Sequence, residues 1–164
     1  MTITDPTKNL SLILPKSLLR EAALTFSAGS FGSLINSLTV WLFGLIGITL
    51  LLGVKIAPAL TPAWLYPRLV WGGLWGFLFL LPIYALSRQP FWVRGLWLSL
   101  IPTAVQLLLV FPIKDGKGLL GLSLGILTPL FVLLFNAVWG VSTAFLLQHL
   151  RAKTDAPSQE NYRI

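Results

Sequence analysis

AALTFSAGSFGSLINSLTVWLFGLIGITLLLGV, residues 22–54, runs for 33 residues without a charged side chain. About 20 apolar residues at 1.5 Å each cross a hydrocarbon core of about 30 Å. This run is longer than that, so it tilts, bends or projects from the bilayer, and Gly44, Gly47 and Gly53 are places for it to end. A strand at that depth would leave its backbone groups without partners, so the stretch reads as helix.

Three more uncharged stretches follow. Residues 69–87 lie between Arg68 and Arg88, residues 95–113 between Arg94 and Lys114, and residues 118–148 between Lys117 and His149. The second and third are barely long enough to cross, while the fourth is long and carries Pro129 as a candidate kink. Composition agrees. Of the 164 residues, 55% are hydrophobic and only 10% charged, against about a quarter charged in a soluble domain. Mean hydropathy is +0.82. These figures exclude a disordered chain, a coiled coil and an ordinary water-soluble fold.

The expected fold is all-α: an antiparallel bundle of four transmembrane helices over about 22–53, 67–87, 92–113 and 118–149, preceded by an amphipathic surface helix. Residues 1–21 make the cytoplasmic tail and that interfacial helix. Within them, Leu10 to Arg20 mixes leucines with Lys16 and Arg20, and Pro15 suits a first helical turn. Residues 22–149 form the membrane domain, and the polar residues 150–164 are expected to be a disordered tail. Asp115-Gly116 reads as a turn, and the short links force neighbours to pack antiparallel. The longer link from Lys55 to Pro67 holds three prolines together with Trp64 and Tyr66, aromatics suited to headgroup level. Acidic Asp5 precedes every basic residue and the first apolar run is far too long for a signal peptide, so no cleavage is expected.

The net charge is +7, but the basic residues punctuate the apolar runs instead of forming a stripe. Nucleic-acid binding is therefore not expected. With both termini on one side, that side holds Lys8, Lys16, Arg20, Arg88, Arg94, Arg151, Lys153 and Arg163. The other side holds Lys55, Arg68, Lys114 and Lys117. Eight against four favours both termini in the cytoplasm.

Catalytic chemistry has little material. There is no cysteine, which removes thiolate sites, disulfides and thiol catalysis. The uncharged stretches contain no carboxylate pair for acid–base work. His149 is the only histidine and reads as a polar residue at a helix end, not a haem or metal ligand. No enzyme activity, cofactor or metal is expected.

What remains is polar amides and glycines. Asn36, Gln106 and Asn136 lie near the middle of their spans, where an amide needs a partner that lipid lacks. They form the candidate buried polar cluster, either as glue between helices or as the lining of a site for a small neutral or lipidic ligand. Gly72 and Gly76, and Gly121 and Gly125, each form a Gly-x-x-x-Gly pair that lets helices approach closely. Trp41, Trp75 and Trp139 lie deep in the spans, and Trp64, Trp71, Trp92 and Trp97 near their ends.

The segment from Arg68 to Gly76 and the stretch from Arg94 through Gln106 to Pro112 resemble uncharacterised small four-span inner-membrane proteins of bacteria. The resemblance implies a bacterial inner-membrane setting and no activity. The expected function is a non-catalytic membrane protein, a structural, assembly or interaction partner, whose partners are the lipid bilayer and other membrane proteins or a second copy of itself. The alternative is a carrier, channel or binder of a small neutral or lipidic molecule.

Overall fold

In the computed structural model, residues 16–83 and 88–155 are described, except for the side chains of residues 153–155. The described residues are helical, with no strand. Helix α1 spans Lys16–Leu45 and is followed by a single-turn helix, α2, Ile48–Leu51. Helix α3 spans Pro62–Gly76 and tightens into a 3-10 segment, Phe77–Leu80. Helix α4, Phe91–Val105, continues as a π-helical segment, Gln106–Lys114. A second 3-10 segment, Leu119–Leu124, precedes α5, Thr128–Asp155. Among the described residues, three helices are long and apolar enough to cross a membrane: Lys16–Leu45, Phe91–Lys114 and Thr128–Ala152.

Local sequence sets the ends. Gly47 adopts a left-handed φ of 79° and stops α1, and Gly53 at φ 71° does the same beyond α2. The Thr61 hydroxyl accepts from the Trp64 amide at 3.3 Å, and Pro62 fills the first helical position of α3. Lys16–Arg20, the described part of the expected surface helix, are the first turns of α1 without a break. The remainder of that helix lies outside the described residues, as does the C-terminal tail from residue 156. Pro129 is the second residue of α5, where a missing N–H costs nothing, so it begins the helix and does not kink it.

The long helices contact one another in the order α3, α1, α5, α4. A side chain on Gly29 would strike the backbone of Gly72 and Gly76, and one on Gly95 the backbone of Gly140. Gly32 sits as tightly against Trp139 and Thr143 of α5. Apolar burial does not drive association in lipid, so close backbone contact and interhelical hydrogen bonds carry it. The indole of Trp139 donates to the Gly29 carbonyl at 3.1 Å, tying α5 to the α1–α3 crossing. Gly121 and Gly125 belong to no such crossing. They have φ of 71° and 142° in the irregular chain before α5, so the expected helical glycine face there does not exist. Those conformations need glycine for the turn itself.

At the end of the bundle remote from Lys16, two connections knit together. The Lys55 amide donates to the Leu124 carbonyl at 2.8 Å, and the Thr49 hydroxyl to the Ile56 carbonyl at 2.7 Å. Nearby, the Thr128 hydroxyl is buried with no partner among the described residues. An orphaned buried hydroxyl costs about 1–3 kcal/mol, so Thr128→Val should stabilise the protein by about 1 kcal/mol, read as a raised thermal midpoint.

Candidate functional site

A polar cavity lies at this knitted end. This open cavity of about 360 Å³ is lined by α1, α3, the π-helical segment, α5 and the Lys55–Pro58 connection. Asn36 of α1, Gln106 at the start of the π segment and Asn136 of α5 all line it. The three amides therefore share one space. The Asn136 amide donates to Gln106 Oε1 at a long 3.4 Å, so both keep hydrogen-bonding capacity toward the cavity.

The cavity is sunk into the bundle. Asn36 lies nine residues before the end of α1, or about 13 Å along the helix axis. Asn136 lies eight residues inside α5, or about 12 Å. Lys55 and Asp115 line the same cavity from the connections. Apolar walls come from Val40, Phe111, Val132 and Phe135.

Arg68 is the residue that the sequence reading placed wrongly. It looked like a charge flanking the second uncharged stretch. In fact α3 begins six residues earlier, at Pro62, so Arg68 lies nearly two turns inside a helix and level with Asn36. Its Nε donates to Ser37 Oγ at 2.9 Å and its Nη2 to Asn36 Oδ1 at 2.8 Å. Its guanidinium lies 4.6 Å from the centre of the Trp64 ring, one turn back on α3, a cation–π distance. This placement puts Arg68 among the helices and not at the flank of the second uncharged stretch. A signal existed in the sequence: Trp64 and Arg68 are four apart, behind a Thr-Pro helix start.

Helix α1 is shaped to receive that arginine. The Ser33 hydroxyl donates to the Arg68 carbonyl at 2.6 Å, and Ser30 to the Leu69 carbonyl at 3.1 Å. Ser30, Ser33 and Ser37 thus form a polar strip facing α3. Asn36 uses both ends of its amide. Its oxygen accepts from Arg68 and its nitrogen donates to the Phe135 carbonyl at 2.6 Å, joining α3, α1 and α5. Among the described residues no carboxylate pairs with Arg68. Its partners are neutral, so its positive charge stands at the cavity wall.

The remaining candidates lie elsewhere. Gly72 and Gly76 face Gly29 and Ser33 in the α1–α3 contact. His149 is exposed, with Nδ1 2.9 Å from the Phe145 carbonyl and its ring 4.2 Å from that of Phe145. No group of three potential metal ligands occurs among the described residues. Trp71, Trp92 and Trp97 are exposed on the outer surface, whereas Trp139 is buried at the helix crossing.

No protein-family model matches this chain, and comparison with curated proteins and with solved structures finds no similar one.

Proposed function

We propose that this is an integral membrane protein that binds a small polar solute bearing an anionic group, in the cavity walled by Arg68, Asn36, Gln106 and Asn136. The single observation that carries the reading is that the amide trio and an arginine without a carboxylate partner open onto one space of about 360 Å³. That size falls within the range of small-molecule sites, about 300–1,000 Å³. Interhelical glue alone needs no cavity, and this consideration moves the proposal from an assembly partner to a binder.

The charge of the solute follows from the wall. A guanidinium at membrane depth is costly, and a bound anion would neutralise it with charge-assisted hydrogen bonds. The amides of Gln106 and Asn136 supply donors and acceptors for the rest of the molecule.

The proposed setting is a bacterial inner membrane, with both termini in the cytoplasm and the cavity opening on the far side. The eight-to-four distribution of basic residues supports it. In this reading α3 and its 3-10 extension are the fourth pass. Their 15 and four residues extend about 30 Å together. They reach from the mouth to Phe79, which packs against Trp139.

Thermal unfolding followed by tryptophan fluorescence, in the presence of carboxylates, phosphates, neutral sugars or amines, tests the reading. Acidic solutes should raise the midpoint, by the equivalent of about 2.7 kcal/mol at a hundredfold excess over Kd. Asn136→Leu should remove the effect. A shift produced by amines or sugars alone, or one that survives this substitution, contradicts the proposal.

A further inference from the structure

A second cavity, of about 320 Å³, lies at the opposite end of the bundle. It is formed by the first turn of α4 and the last turns of α5, with Phe79 of the 3-10 segment between them. Two arginines line it, Arg94 from α4 and Arg151 from α5, and burial together with the like charge of Arg151 disfavours the charged form of Arg94. Among the described residues, one carboxylate answers them. Glu21 Oε2 accepts from Arg151 Nε at 3.0 Å and from its Nη2 at 2.7 Å. Arg94 is half-buried and forms no side-chain hydrogen bond or ion pair among the described residues. Among the described residues, then, one positive charge in the cavity has no carboxylate partner, and the carboxamides of Gln89 and Gln148 flank it.

We infer that this cavity is a binding site for a phosphate group, held between Arg94 and Arg151. A tetrahedral anion presents several oxygens, which suits two planar guanidinium forks converging from different helices. It would also relieve the repulsion between them. The remaining walls are apolar, from Phe91, Ala144 and Leu147. In the proposed setting the site sits where the helices leave the hydrocarbon, and basic pockets between helices at that level hold lipid headgroups. A phospholipid headgroup and a free phosphate ester share the recognised chemistry. The site is remote from the Arg68 cavity and stands independently of it.

Native mass spectrometry of the full chain in nanodiscs, containing either phosphatidylglycerol or phosphatidylcholine, tests the inference. Thermal unfolding of the detergent-solubilised chain with inorganic phosphate forms the second arm. Wild type should retain phosphatidylglycerol, and Arg94→Gln should weaken retention by about tenfold or more, the scale of one hydrogen-bonded charge contact. Gln148→Glu is exposed and safe for the fold, and it should weaken retention similarly by adding a negative charge beside the site. Stabilisation by inorganic phosphate that is lost in both variants, without lipid retention, supports the site with free phosphate as the ligand. Equal retention by both variants and wild type, or no response to either probe, overturns the inference.

Discussion

Replacing Gly29 with leucine is expected to prevent the protein from accumulating in folded form. Gly29 is the point where three helices meet. A β-carbon there would collide with the carbonyl of Gly72 and with Gly76 Cα 2.8 Å away, both backbone atoms that no rotamer change can move. The same residue's carbonyl accepts the Trp139 indole from α5. Pushing α1 and α3 apart would break the Ser30 and Ser33 bonds to α3 and separate Arg68 from Asn36 and Ser37. Overpacking ordinarily costs about 1–3 kcal/mol, and a backbone collision at a shared crossing belongs at or above the top of that range. Ala23→Leu, on the exposed side of the same helix, should be nearly neutral. Yield of folded protein from size-exclusion chromatography in detergent distinguishes the two.

The second large effect concerns Arg68. Arg68→Leu should abolish stabilisation by acidic solutes, corresponding to a rise in apparent Kd of about tenfold or more. The substitution also leaves Asn36 Oδ1 and Ser37 Oγ without their donor, so a fall in basal stability accompanies it. Arg68→Lys separates these effects. Lysine keeps the charge but cannot donate in a planar fork to two partners on α1, so it should restore part of the binding and little of the specificity. Equal solute response in wild type and Arg68→Leu, measured by thermal shift, would remove Arg68 from the site.

The helical class and the oily stretches were legible because lipid allows so few structures. An uncharged run of this length has one backbone solution, and the three long helices follow it. The amide trio was legible for a related reason, since a mid-span amide must face other protein. That Asn36, Gln106 and Asn136 meet in a cavity was not legible, because spacing along single helices does not report their rotation or the space between them. Arg68 was missed because charge was taken to mark where a helix leaves the bilayer. The helix start written by Thr61 and Pro62 is the contrary signal, and it prevails. Gly121 and Gly125 misled in the opposite way. A Gly-x-x-x-Gly spacing is meaningful only on a helix, and positive φ at both residues removes the helix. The Gly95–Gly140 contact has no such spacing, as its two glycines come from different helices.

The absence of cysteine permits a direct test of a polar cavity open to one face of a membrane. Single cysteines at Asn136, in the cavity, and at Ser17, near the start of α1, can be labelled in sealed vesicles with a membrane-impermeant maleimide. The account predicts that Asn136→Cys reacts only from the face opposite the one that labels Ser17→Cys, and that Arg68→Leu leaves this sidedness intact. Labelling of both cysteines from the same face, or a cysteine at 136 that reacts only after denaturation, would contradict it.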